Sequence, residues 1–551
     1  MNGLPQHRPG RRAIVIILAA VLLANFYLFG WNRRNDLWTA PAHLQISLPD
    51  SSSKESPTIA GYNETGSKPE EPEAHFSAPL SLEDRQAAFL RNLYTQIEEH
   101  APPCPPPNIP GSVDGIGFDA VNAMPRPSLI INTDELQGPM QKAHDGFVAA
   151  IKTLRDRPYN NGTRGIISSA GGEYMPTFMA SLRMLRRTGC KLPVEVFVTD
   201  WHEYEPYICE VALPALGAKC KVLGEILDLI HDRNDEAIKV EHFQIKSFAM
   251  LLSSFESFLW MDADCFPLHD PEILLDSDPF SSRGLVAWPD FWANTASALY
   301  FNISRQPELP MTARQSTESG IMLISKRNHF LTLLLATYYN YYGPDYYWPL
   351  LDQGSYGQGD KDTFVQAAGA LGADVYTVSE PVVAVERNYD DWGTNQFSAM
   401  AQADPMLDYN LTSQSKWRVK NPSIAKAPRI FFLHASNPKF NAATDLLEKT
   451  QRYDGEPNRL WNRPEEVIRR FGYDVEKPYW KEATTVTCTL EHVFSSWQNI
   501  TGLCEGMQHF WNETLSDPNA NVLHFTDDEP AHDMPIEEPQ PTDDSGDWGV
   551  P

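Results

Sequence analysis

The stretch SFLWMDADCFPLHDP, residues 257–271, decides how the chain is read. Its first five residues are an apolar run of the length of a buried strand, and the next five hold two carboxylates, Asp262 and Asp264, spaced i, i+2. Carboxylates at that place lie at the carboxyl end of a strand, where open α/β sheets put their ligands. Beside so apolar a run they need a positive partner. A divalent cation of the Mn²⁺ or Mg²⁺ kind, held by hard oxygen ligands and bridging to a diphosphate, supplies one. A D-x-D string also arises by chance in acidic chains, and the competing reading is a turn with solvated aspartates.

Upstream, RGIISSA (164–170) is a short apolar strand closed by Gly171 and Gly172, and 175–188 is an amphipathic helix. PVEVFVT (193–199) is a second strand, 203–216 a helix, 219–224 a strand and 241–255 a helix. Strands alternating with helices of this length predict a parallel, doubly wound α/β sheet. Ala170, Gly171 and Gly172 would let the backbone approach a nucleotide, although the string is not G-x-G-x-x-G and a plain tight turn explains it equally well.

Downstream, QSTESGIMLIS (315–325) sets Glu318 ahead of another strand, where it could orient a sugar hydroxyl or simply cap the run. GSYGQGDKDTF (354–364) is a glycine-rich loop entering a helix near Asp362. Asp360 and Asp362 there are either caps or carboxylates facing an acceptor. RIFFLHAS (429–436) ends an apolar strand on His434, a structural histidine or a third metal ligand. Residues 338–349 hold six tyrosines and a tryptophan, which suit sugar stacking and core filling alike.

The 551 residues are 42% hydrophobic, enough for a substantial core, so wholesale disorder is excluded. A formal charge of −27 argues against nucleic acid as the main partner. Residues 13–31 (AIVIILAAVLLANFYLFGW) match the thickness of a bilayer core and are flanked by arginines, which predicts an uncleaved single-pass anchor with the remainder in a lumen. N-x-S/T sequons at Asn63, Asn161, Asn302, Asn410, Asn499 and Asn512 agree with that compartment. Among seven cysteines, Cys488 is expected to pair with Cys504, and Cys190 with Cys209 or Cys220. The expected organisation is a cytosolic tail (1–12), an anchor (13–31), a stem carrying one helix (32–131), and a catalytic domain (132–480). A cysteine-containing extension (481–514) and an acidic, disordered, dispensable tail (515–551) follow.

Taken together, FLWMDADCFPLHDP, TESGIMLISKRNHFLTLLLATYYNYYGPDYYWPLL, QGSYGQGDKDTF and FFLHASNPKFN resemble the fungal Golgi mannosyltransferases over about residues 160–445. The chain looks closer to the α-1,2 enzymes that start mannan branches than to the α-1,3 enzymes. The resemblance implies a GT-A type nucleotide-diphospho-sugar transferase fold and a type II Golgi membrane protein. It also implies GDP-mannose as donor, Mn²⁺ as cofactor, a mannan or N-glycan mannose acceptor, and a possible complex with other Golgi mannosyltransferases. It assigns Asp264, His434 and Asp262 to the metal, with Asp262 nearer the ribose. Asp360, Asp362 and Glu318 are given to catalysis, and the Ala170–Gly172 turn to the nucleotide. An α-linked donor and an α-linked product imply retention of configuration. The alternatives are an α-1,3 linkage, a UDP-sugar donor on the same fold, and a non-catalytic luminal scaffold that binds mannan.

Overall fold

The computed structural model describes residues 80–230, 240–357 and 359–516. The expected anchor, the stem up to residue 79, the sequon at Asn63 and the acidic tail from residue 517 lie outside the described residues. Among the described residues no helix is long and apolar enough to cross a membrane.

Among the described residues, eleven strands form two sheets. In chain order they are β1 Arg164–Ser169, β2 Val194–Val198, β3 Ala218–Val222, β4 Ser257–Met261, β5 Cys265–Pro267, β6 Leu285–Ala293, β7 Gln315–Ser325, β8 Tyr376–Thr377, β9 Val383–Asn388, β10 Asn395–Ala403 and β11 Ile430–His434. The large sheet runs β3-β2-β1-β4-β7-β6-β8 and the small one β5-β11-β10-β9. The fold is mixed α/β. The expectation of a parallel sheet holds for β3-β2-β1-β4 and fails beyond it, because β7 pairs antiparallel with both β4 and β6. Strand β7 lies between β4 and β6 and runs against both, so no crossover helix is needed to join it to either.

Period-two alternation sorts the large sheet's side chains onto two cores. Ile166, Leu259 and Met261 join the cluster that also holds Phe432, Tyr479 and Trp480; Ile167, Phe258 and Trp260 face the other. That second face is covered by α1 Leu82–Glu99, α2 Thr133–Ile151, α4 Gln244–Leu252 and α5 Lys326–Tyr341. The first is covered by α3 Met175–Arg187, the small sheet and α7 Glu476–Leu490, whereas α6 Thr363–Leu371 packs Phe364, Val365 and Ala367 into the second core.

Helix α1 opens at Ser81, whose side chain accepts from the Asp84 amide at 3.0 Å. It is not held apart from the head. Phe89, Leu90, Leu93 and Ile97 are buried in the α2–α5 core. The tyrosine-rich segment explains this: Tyr338, Tyr342 and Tyr346 donate to the carbonyls of His100, Ile97 and Cys104, tying residues 97–104 to the body. Tyr338, Tyr339 and Tyr347 are fully buried and fill the core, while Tyr341, Tyr342, Tyr346 and Trp348 are half-buried. At the other end, α7 runs through the expected boundary at residue 480 and packs Trp480 on Phe510.

Cys488 pairs with Cys504 as expected, whereas Cys209 pairs with Cys220 and Cys190 is left a buried free thiol. The expected helix over 203–216 is a π-helical turn, Ile208–Ala212, and a short helix, Leu213–Ala215; the turn sets Cys209 against β3, where Cys220 lies.

Candidate active site

Two sheets meet at the D-x-D. Strand β4 ends at Met261, and the chain turns through Asp262 (the Cys265 amide donates to the Asp262 carbonyl at 3.0 Å) and enters the small sheet as β5. There Cys265 pairs with His434, the last residue of β11. The Ala435 amide donates to the Asp264 carbonyl at 2.9 Å, and His434 Nε2 lies 3.1 Å from Asp264 Oδ1. On the other side of the imidazole, Glu318 Oε1 stands 3.6 Å from Nδ1 and accepts from the Gly320 amide at 2.8 Å. The Lys439 ammonium contacts Asp264 Oδ2 and lies over the Tyr174 ring.

A second group lies beside the first. Lys246 of α4 is buried and reaches Asp262 Oδ1 at 3.1 Å, Asp360 Oδ2 at 3.3 Å and the Ser319 carbonyl at 2.9 Å. The Trp260 indole donates to Asp262 at 2.8 Å, and the Ser319 hydroxyl to Asp360 at 3.0 Å. Asp362, just ahead of α6, caps nothing; its carboxylate accepts from Arg314 at 2.9 Å and from the Thr317 hydroxyl at 3.2 Å. Lys361 pairs with Asp290 at 3.0 Å.

The electrostatics follow from this packing. Burial would raise the Asp264 carboxyl, but His434 and Lys439 hold it well below the usual range. Burial would lower the His434 imidazole, yet Asp264, Cys265 and Glu318 raise it well above its ordinary value. Lys246 is likewise raised against its burial by Asp262, Asp360 and Glu318. Asp360 is pushed up by burial, which Lys246 only partly offsets. The Cys265 thiol is pushed up by burial to about 12.

The structure thus brings Asp264, His434 and Glu318 together, and sets Asp262 and Asp360 on Lys246 a strand's width away. Asp264, Cys265 and His434 offer ligand atoms within 4.8 Å of one another. Glu318 Oε2 and His434 Nδ1 are buried without a hydrogen-bond partner. Carboxylate oxygens and an imidazole nitrogen with free valences are a donor set that fits Mn²⁺. Asp262 is not in this set. The Ala170–Gly172 turn sits at the carboxyl end of β1, with Gly171 pressed so close to Glu203 that a Cβ would fall 2.3 Å from its carboxylate. It runs into Glu173, whose carbonyl accepts from Asn441 at 2.8 Å, two residues from Lys439.

Sequence reasoning missed both lysines. Lys439 stands five residues after His434 in FFLHASNPKFN, and that spacing was the available signal. Lys246 gave none, because a lysine on a helix reads as solvated until packing buries it.

A carboxylate–histidine centre flanked by lysines, at the carboxyl edge of a mixed α/β sheet, defines the class of site. The family model described as "Mannosyltransferase putative" matches residues 163–314 and 309–404. This includes Asp262, Asp264, Glu318, Asp360 and Asp362 and stops before His434. Over those residues the chain is similar to that mannosyltransferase family. It is 33% identical to the α-1,2-mannosyltransferase MNN21 of Candida albicans, over 68% of this chain and 65% of that protein. It is 28% identical to the α-1,2-mannosyltransferase MNN2 of Saccharomyces cerevisiae, over 68% of this chain and 72% of the relative. The match therefore spans a little under two thirds of the first relative's length. Among solved structures, the glycosyltransferase GlyE of Streptococcus pneumoniae matches at 10% identity with a TM-score of 0.30, covering 59% of this chain and 63% of that one. The galactosyltransferase LgtC matches at 13% with a TM-score of 0.26, covering 39% and 73%.

Proposed function

We propose that the protein transfers mannose from GDP-mannose to a mannose residue of mannan or an N-glycan, forming an α-1,2 linkage with retention, on a GT-A type head. The observation that carries this reading is the Asp264–His434 pair at the crossing of the two sheets, with unpartnered donor atoms on His434 and Glu318 beside it. Asp264 and His434 would hold Mn²⁺, with Glu318 the nearest further oxygen. When bound, the cation supplies positive charge against the leaving diphosphate. Lys439, part-exposed and next to Asp264, offers an ammonium to the same phosphates. The turn at Ala170–Gly172 brings backbone close to the nucleotide. Lys246 holds Asp262 and Asp360 in fixed rotamers, and Asp360 and Glu318 line the space where the mannosyl carbon would meet the acceptor hydroxyl. Stabilising charge only where it develops is how such a preorganised site would lower the barrier.

The setting is a Golgi lumen, with residues 13–31 as a type II anchor. The five described sequons, at Asn161, Asn302, Asn410, Asn499 and Asn512, are all on exposed residues, as glycan attachment requires, which supports that side of the membrane.

The test is transfer by the full chain from GDP-mannose to a short α-mannoside, with and without Mn²⁺. The product linkage is read by NMR, and Asp264→Ala is the control. Metal-dependent transfer that the substitution abolishes is the expected result. Transfer from a UDP-sugar instead, or mannoside binding without turnover in a folded protein, would overturn it.

A further inference from the structure

The carboxyl edge of the large sheet has an order. Moving across it, β1 contributes the Ala170–Gly172 turn, β4 the two aspartates, and β7, running the opposite way, its first residues up to Glu318. Beyond these come the end of β6, from Pro289, and the residues after β8. On this far side, past the carboxylates, lies a cavity of about 290 Å³. Arg314, Thr317, Thr377, Ser379, Trp417 and Lys420 are among its walls.

Its chemistry is specific. Trp417 is 43% exposed and presents an indole face with no neighbouring ring to cover it among the ring contacts described. Hydroxyls come from Thr377 at the end of β8 and from Ser379 after it, whereas the Thr317 hydroxyl is taken by the Lys361 carbonyl and Asp362. Arg314 is neutralised by Asp362 and acts as a fixed donor, and Lys420 adds an exposed ammonium at the wall. An exposed indole beside hydroxyls and held donors suits a hydroxyl-rich ring better than an apolar ligand. The cavity adjoins the second group of carboxylates, because Thr317 and Arg314 both grip Asp362, two residues from Asp360.

We infer that this cavity is the subsite for the acceptor saccharide, with Trp417 stacking on one of its pyranose rings. This rests on the transferase reading of the neighbouring centre. The nucleotide turn on β1 and the cavity at β6–β8 lie on opposite sides of the Asp264–Glu318 centre, an arrangement in which a donor and an acceptor meet over the carboxylates. Trp417 is a positioning residue, since it touches the acceptor and not the reacting atoms.

The experiment measures two things on the full chain: steady-state transfer from GDP-mannose to an α-linked mannotriose, and titration of mannotriose alone followed by tryptophan fluorescence. Trp417→Ala is expected to raise the acceptor KM about tenfold. The donor KM should stay within about twofold, and Trp417→Phe should restore most of the loss by keeping a ring. Mannotriose binding should persist in Asp264→Ala and weaken in Trp417→Ala, with unchanged melting temperatures identifying folded variants. An acceptor KM that does not move in folded Trp417→Ala overturns the inference and leaves the transferase reading standing. Mannotriose binding that depends on Trp417 without any transfer supports the subsite and overturns the transferase reading. If mannotriose does not bind, or binds independently of Trp417, the subsite is overturned.

Discussion

His434 Nε2 sits 3.1 Å from Asp264 Oδ1, although the two residues lie 170 positions apart in the chain. The pair exists because β5 leaves the D-x-D turn and adds itself to β11, and the Ala435–Asp264 backbone bond fixes their offset. Each residue alone is an ordinary strand-end polar group; together they are a buried anion–imidazole couple with ligand atoms to spare.

Asp264→Asn and His434→Ala should each lower kcat/KM for mannosyl transfer by about 10²–10⁴-fold, the range seen when a preorganised charge is removed. Titrating Mn²⁺ by electron paramagnetic resonance should show weakened binding in both, and unchanged binding in either variant would refute the ligand assignment.

Lys439→Met should weaken binding of GDP about tenfold, since one charge-assisted contact is lost, with Lys439→Arg recovering part of it. Calorimetric titration of GDP in the presence of Mn²⁺ reads this directly. An unchanged affinity would confine Lys439 to pairing with Asp264.

Lys246→Met leaves Asp262 and Asp360 without their shared cation. The variant should lose about 3–5 kcal/mol of stability in a denaturant titration, as expected when one partner of a buried ion pair is removed. Lys246→Met combined with Asp360→Asn should recover part of that loss, because a neutral amide replaces an uncompensated charge.

Two buried histidines contribute a loss of stability in acid, which opposes the gain from buried carboxyls such as Asp352, pushed up by burial to about 7. Burial lowers the imidazole of His144, stacked on Tyr339, from its ordinary 6.5 to about 4. The unfolded chain binds this proton first, so stability is fully present above pH 6.5 and is lost as pH drops towards and through 4. The loss attributable to this group is up to about 3 kcal/mol. His269, lowered by burial and by Arg429 to about 4, acts in the same direction. Unfolding midpoints measured between pH 7 and 4 should slope less in His144→Phe than in the parent; an equal slope would mean that His144 is protonated in the native state.

A chain beginning at Ala78 should fold, and one beginning at Ala101 should not. Deleting α1 removes Phe89, Leu90, Leu93 and Ile97 from the core, about 6–12 kcal/mol at roughly 1.5–3 kcal/mol per side chain, comparable with the whole stability of a domain. Proteolysis of the two chains, with melting monitored by circular dichroism, distinguishes them.

Much was legible in the linear chain because it rests on local physics. The apolar run at Ser257–Met261 followed by two aspartates is a strand and its ligand-bearing end whatever surrounds it, and the strands at Arg164–Ser169 and Val194–Val198 follow from short apolar runs between turns. The Cys488–Cys504 bridge joins neighbours in sequence and was readable for that reason. The pairing of Cys209 with Cys220 was not, since it depends on how the Ile208–Ala212 turn abuts β3.

What the sequence alone determined, then, is the alternation of elements, the acidic strand end and the candidate residues at Glu318, Asp360, Asp362 and His434. Tertiary structure decided which of them meet: Asp264 rather than Asp262 faces His434, and Asp262 turns to a buried lysine on α4. It also made straps of Tyr338, Tyr342 and Tyr346, and built the expected stem helix into the core. The reason is that periodicity and propensity act over a few residues. Partner choice among carboxylates, by contrast, is fixed by strand register and by which charges must be compensated once water is excluded.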